Sequence, residues 1–400
     1  MTTTRDVDHV VVGLGGLGSG AAYWLAEQTQ TTGGDARIVG LEQFALGHDR
    51  GASHDHSRII RYSYHRPEYV RLAIEAYDTW AAVAAEAEEE LVVRTGGVDL
   101  FPAGGAIAMG DYTASMDEVG IPYEVIDAAS VMRRYPPFRL ADDVVALAQP
   151  DTGIAPAARG TAAHQRLAAA RGVELHEGVA VERIESDGAG ELTVITADGA
   201  YRTGSVVLCG DAWTAELLAP LGVRLPLEVT REQVAYYPAD AAAIGAFAVG
   251  RFPVWIWMDS PCFYGFPVYG DIGAVKAAED VGGRPTTADG RDYETDGPAL
   301  ARMTAFLHEV LPSMVGTAEP RVKTCLYTLT PDRDFVLDTV PGHPGLQVAL
   351  GSAHGFKFAS WFGRTLAERA VHGSCRSDVH PFRFDRPALT DPTFVAHYMT

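Results

Sequence analysis

An α/β fold, with a Rossmann-like domain interleaved with an antiparallel-sheet domain, follows from three features of this 400-residue chain. Near its start, a short apolar strand runs into a glycine-rich turn and a helix: His9-Val-Val-Val-Gly13-Leu-Gly15-Gly-Leu-Gly18. Further βαβ-like segments recur at residues 159–213 and toward 371. Between them lie aromatic, strand-like stretches that read as a different layer.

Residues 9–13 read as a buried strand, 17–28 as a helix, Thr29 to Asp35 as a polar loop, and Ile38-Val39-Gly40-Leu41 as a second strand ending at Glu42. This is the start of a βαβ unit that binds a dinucleotide. Gly13 permits the turn, Gly15 lets backbone approach the pyrophosphate, and Gly18 lets helix pack on strand. The helix N-terminus faces the phosphates. Glu42 suits the ribose hydroxyls of an adenosine and would repel a 2′-phosphate. The bland alternative is a chance cluster in a chain with 42 glycines; the strand before, the helix after and the acid beyond favour the motif.

Residues 68–88 carry an Ala- and Glu-rich helical pattern, and short alternating segments follow Thr95-Gly96-Gly97. A helix over 159–171 leads to a strand at Val179-Ala-Val181. Ser205-Val-Val-Leu-Cys-Gly210-Asp-Ala-Trp213 reads as strand then turn. Residues 226–282 are strand-like, with Trp255, Trp257, Phe263, Tyr264, Phe266 and Tyr269; 282–298 is a polar loop; 297–310 and 357–371 are helices. The expected division assigns 1–85, 150–215 and 320–385 to the nucleotide-binding domain, 86–149 and 216–319 to a substrate domain, and 386–400 to a tail.

Apolar residues make up 47% of the chain, enough for sizeable cores, and the formal net charge of -20 opposes nucleic acid and anionic membrane as partners. No stretch approaches the ~20 apolar residues of a membrane span, and no apolar leader precedes the first strand. The four cysteines (Cys209, Cys262, Cys325, Cys375) form no metal-type pair and suit free thiols in a reducing cytoplasm. The expected partners are small molecules, and the chain is a monomer or a homodimer.

Several segments, in order, resemble the monomeric sarcosine oxidase and N-methyltryptophan oxidase family, within the FAD-dependent D-amino-acid-oxidase-like superfamily. They are the glycine turn, His54-Asp-His-Ser57-Arg58-Ile-Ile-Arg61, Arg94-Thr-Gly-Gly97, Tyr264-Gly-Phe-Pro267, Gly273-Ala-Val-Lys276, Lys323-Thr-Cys325-Leu-Tyr-Thr328 and Gly351-Ser-Ala-His-Gly355-Phe356-Lys357-Phe. The resemblance runs from about Val10 to about His372. It implies a glutathione-reductase-type FAD domain and oxidation of the C–N bond of a secondary amino acid to an imine. It also implies reoxidation of the flavin by O2 to give H2O2.

By the same resemblance, Cys325 carries the flavin through a thioether, where otherwise it would be a small buried hydrophobe. Lys276 lies over the flavin and assists O2 reduction; its apolar surroundings would make a bare ammonium costly unless hydrated or paired. Arg61 and Lys357 clamp the substrate carboxylate, suitable work for a guanidinium and an ammonium. His54 and Arg58 line the flavin, and Tyr264 lies near the substrate amine. Ser57, Val181, Gly351, Gly355 and Phe356 join the glycines and Glu42 as cofactor-binding positions. The plain alternatives are surface salt bridges for the arginines, a loop position for His54 and a sheet-core tyrosine.

Three departures stand out. Asp280 replaces the family's histidine four residues after the lysine. Near the position of the family's substrate-facing methionine this chain has Trp255, with Trp257 two residues on. In Cys209-Gly210-Asp211-Ala212-Trp213, the glycine comes one position early. An acid and two indoles favour a ring-bearing substrate over sarcosine. A flavin dehydrogenase with another electron acceptor, a non-catalytic flavin-binding protein and an NAD enzyme are the alternatives.

Overall fold

The computed structural model describes residues 3–397; the end of the expected tail lies outside them. The glycine turn enters a six-stranded sheet. Its order is Glu174–Glu177, Ile38–Glu42, His9–Val12, Val206–Leu208, Leu346–Leu350, Val336–Thr339. All neighbours are parallel except the last pair. The central strands are buried along their length, which is why they read as continuous apolar runs. Helix Gly16–Thr31 is buried on nearly every side, between this sheet and helices Ala157–Ala170 and Ala359–His372.

A second, nine-stranded sheet is mostly antiparallel and contains Glu228–Tyr237, Val254–Trp257, Cys262–Gly265, Val275–Asp280 and Arg321–Leu329. Strand Arg321–Leu329 pairs with Glu228–Tyr237 and carries Cys325. Helix Gly297–Val310 packs on this sheet, with Met303 and Leu307 in a core shared with Trp255 and Phe263. A four-stranded sheet (Thr3–Asp6, Val181–Ser186, Leu192–Thr196, Gly199–Thr203) flanks the first one.

The expected helices appear at Pro67–Ala87, Ala157–Ala170 and Gly297–Val310. Two expectations shift. The strand expected at 179–181 begins at Val181 and runs to Ser186. The last helix is preceded by a separate tight turn, Gly355–Phe358, and starts at Ala359. Among the described residues no helix is long and apolar enough to cross a membrane.

Candidate active site

One cavity of about 480 Å³ runs from the glycine turn to Cys325 and on to Arg61 and Lys357. At one end it is shaped by backbone. Gly13 has φ +86°, and a Cβ there would stand 2.5 Å from the Cys209 carbonyl oxygen. A Cβ on Gly18 would fall 1.8 Å from the Gly13 carbonyl, so the helix reaches the strand end only because position 18 is glycine. Gly13 and Gly15 line the cavity, and Gly18 lies beneath them. Glu42 accepts from the Leu14 N–H (2.8 Å) and the Phe44 N–H (3.1 Å) and lies 3.3 Å from His48. Burial opposes its ionisation, but His48 and the two N–H groups hold it below the usual carboxylate range. Val181, Gly351, Gly355 and Phe356 line the cavity as well.

Midway, Arg58 donates to the carbonyls of Ser57 (2.8 Å), Ala52 (2.7 Å) and His54 (2.9 Å), which pins its guanidinium to the cavity wall. Burial, with Arg58 and Arg291 adding to it, drives His54 down to about 3, so its imidazole is neutral. Cys325 lines the cavity; burial pushes its thiol up to about 11, with Arg58 opposing. Lys276 and Ser57 do not line the cavity. Lys276 is 3% exposed and donates to Asp55 (2.7 Å) and to the Ser57 carbonyl (3.1 Å), the same oxygen that Arg58 holds. Burial lowers Lys276 to about 8 against the pull of Asp55.

Asp55 also accepts from Lys323 (2.8 Å) and Tyr236 (2.6 Å), so one carboxylate serves two ammonium groups and a phenol. Neither Asp55 nor Lys323 stood out in the sequence. Asp55 lay within the quoted run but reads there as an ordinary loop acid.

At the far end, Arg61 and Lys357 lie 5.1 and 5.7 Å from the ring centre of Tyr64. Arg61 pairs with buried Asp99 at 3.4 Å. Lys357 donates to the His354 carbonyl (3.1 Å) and, among the described residues, pairs with no carboxylate. Burial, with Arg61 and Arg333 adding to it, pushes its ammonium well below the usual lysine range. Tyr264 lines the same end.

Asp280 lies at this end as expected, yet its charge is already engaged. Arg333 holds it at 2.8 and 2.9 Å, and the Tyr327 hydroxyl approaches to 3.4 Å. Arg333 and Tyr327 line the cavity, and no local pattern in the sequence announced them.

The two indoles do not wall the cavity. Successive residues of a strand face opposite ways. Ile256 faces the cavity, while Trp255 is fully buried against Phe306 and Gly265, and Trp257 packs on Phe306 at 5.3 Å between ring centres.

The residues present fit FAD. Among the described residues the side-chain atoms His54 Nε2, Thr161 Oγ1 and Asp211 Oδ2 are buried without hydrogen-bond partners, and all three residues line this one cavity. Buried polar groups are rarely left so, and a large polar ligand would satisfy them.

Comparison with known proteins agrees. The profile of the FAD dependent oxidoreductase family matches residues 8–369. Monomeric sarcosine oxidase of Streptomyces avermitilis is 34% identical, with 99% of each chain aligned. N-methyl-L-tryptophan oxidase of Salmonella arizonae is 30% identical over 95% of this chain and 98% of its own. Among solved structures, NikD, an unusual amino acid oxidase essential for nikkomycin biosynthesis, superposes with a TM-score of 0.83 at 29% identity, covering 95% of this chain and 97% of that one. The chain therefore belongs to the FAD dependent oxidoreductase family, in the branch of sarcosine and N-methyltryptophan oxidases.

Proposed function

We propose that the protein oxidises the C–N bond of a carboxylate-bearing secondary amino acid, either an N-methyl amino acid or a cyclic imino acid, to the imine, with O2 reduced to H2O2. The observation that carries this reading is the cation pair Arg61 and Lys357, set on one tyrosine ring in the cavity that also holds the glycine turn and Cys325. The names of the relatives, sarcosine and N-methyl-L-tryptophan oxidases, support it. Bound FAD supplies the two-electron acceptor.

Lys357 lacks a carboxylate partner among the described residues, and a substrate carboxylate supplies one. Arg58, Arg61 and Arg333 add positive charge around the same end, which disfavours an ammonium there. The substrate amine thus enters deprotonated, its lone pair available to stabilise the carbon that loses a hydride. A fixed array of charges costs no reorganisation during the step. Lys276 and Arg58, joined through the Ser57 carbonyl, place positive charge behind the wall where O2 would accept electrons. Cys325 is the candidate for covalent attachment, with Arg58 favouring its thiolate. We read the six-stranded sheet as the cofactor domain and the nine-stranded sheet as the substrate domain.

Anaerobic bleaching of the flavin tests this reading, using sarcosine, N-methyltryptophan, proline and pipecolate beside matched amines that lack the carboxylate. Only the acids should bleach it, and air should then return H2O2. Equal bleaching by the amines without a carboxylate would overturn the assignment. Acid-precipitated protein that stays yellow, and loses its colour in Cys325→Ala, establishes the covalent link; colour lost from the parent refutes it.

A further inference from the structure

Asp211 follows strand Val206–Leu208 at φ +43°, a left-handed conformation that glycine adopts freely and a side chain adopts only at a cost. Its carboxylate lines the cavity, and its Oδ2 is buried without a hydrogen-bond partner. A strained backbone and an Oδ2 without a partner among the described residues are a cost to the fold on its own. Its position explains it. On one side, the preceding Cys209 carbonyl abuts Gly13 of the phosphate turn. On the other, the turn Asp211–Trp213 packs on the strand that carries Cys325, where Ala212 meets Leu326 and the Thr328 hydroxyl lies beside the carboxylate. Asp211 thus sits between the pyrophosphate end and the ring end of the FAD cavity. The part of FAD between those ends is a polyol chain with hydroxyl donors.

We propose that Asp211 positions the cofactor by accepting a hydrogen bond from a hydroxyl of the chain between pyrophosphate and flavin ring. The pyrophosphate itself is an anion and would repel the carboxylate. The neighbouring segments carry the titratable groups Glu42, Cys209, Glu216 and Asp289, and the strand packed on the turn carries Lys323, Cys325 and Tyr327; only burial and the Thr328 hydroxyl shift Asp211. Burial raises Asp211 to about 6, with Thr328 opposing. A hydroxyl donated to the ionised form lowers that value in the complex. FAD affinity is then fully developed above pH ~6 and falls as the pH drops through it, because binding must release a proton.

Reversible binding is measured by titrating FAD into apoprotein in a Cys325→Ala background, where no thioether can form. Asp211→Gly should raise the thermal midpoint of the apoprotein, since glycine relieves the backbone, and weaken FAD binding by ~10-fold or more. It should also lose the fall in affinity below pH ~6. Asp211→Asn keeps an acceptor and tolerates the left-handed backbone; it should bind with an intermediate loss and no pH step. Unchanged affinity in Asp211→Gly would overturn the proposal. So would an Asn variant that keeps the parent's affinity and pH profile, which covers the case where the glycine variant fails to fold. Binding is read rather than turnover, so the outcome stands whichever amine is oxidised.

Discussion

The two ends of the cavity are built from different materials. At the nucleotide end, the shape comes from backbone: a left-handed glycine, a second glycine under a carbonyl, and a helix N-terminus, all within a dozen or so consecutive residues. At the substrate end, shape and charge come from side chains brought together from far along the chain. Arg61 pairs with Asp99, Asp280 with Arg333, and Lys357 has no acid partner among the described residues. A site made of backbone tolerates few substitutions but needs little electrostatic balance. A site made of buried ions depends on every partner, because removing one leaves the other uncompensated.

The largest effect is expected at the buried Lys276–Asp55 pair, for which we propose a role in O2 reduction. Lys276→Met removes the ammonium and leaves Asp55 to Lys323 and Tyr236. Stopped-flow reoxidation should slow by ~10²-fold or more, while anaerobic reduction by substrate changes modestly. Lys276 is lowered to about 8, so its charged form is lost as the pH rises through that value. Reoxidation in the parent should therefore decline above pH ~8 and the decline should vanish in the variant. Reoxidation at normal speed would move Lys276 to a structural role.

Next is Lys357→Met. If Lys357 holds the substrate carboxylate as proposed, a charge-assisted bond is lost and kcat/KM for amino acid substrates should fall by ~10- to 10²-fold. The margin over amines without a carboxylate should shrink by the same factor. A uniform loss on both classes would show that Lys357 supports the fold of this end and not the anion.

Asp280→Asn is smaller and changes selectivity. It removes the carboxylate charge that Arg333 pairs with and leaves this end of the cavity one charge more positive. Secondary amines with two carboxylates should gain over those with one by ~10-fold in kcat/KM, the worth of about one good interaction. No change in that ratio would mean that Arg333 does not reach the substrate.

The nucleotide end was legible because its determinants are contiguous and belong to the backbone: Gly13, Gly15, Gly18 and Glu42 sit on consecutive elements. Cys325, Arg61 and Lys357 were legible through motif resemblance, and the structure brings all three to one cavity. What escaped were partners. Asp55, Lys323, Asp99 and Arg333 lie tens to hundreds of residues from the groups they hold, and nothing local marks an acid that will be buried with a distant base. The bulk of Trp255 and Trp257 was evident; the face they occupy was not, because alternation along Val254–Trp257 gives two faces and does not say which meets the cavity.

That alternation supplies the mildest test of the comparison. Trp255 stacks on Phe306 in the core of the nine-stranded sheet, and its Nε1 is buried without a partner among the described residues. Trp255→Phe therefore sacrifices packing and no hydrogen bond. Its cost should be about 1–2 kcal/mol, below the ~3–5 typical of truncating a buried Trp to Ala, and a thermal melt would record it. Substrate ranking should hold within about twofold, since the indole does not line the cavity. Ile256, one position along and facing the cavity, is the converse case. Ile256→Val removes one methylene from the wall, which should cost little stability yet change the ratio of kcat/KM between bulky and small amino acids by a factor approaching ~10. If Trp255→Phe reorders the substrates and Ile256→Val does not, the faces have been assigned the wrong way round, and the indoles return to the substrate wall.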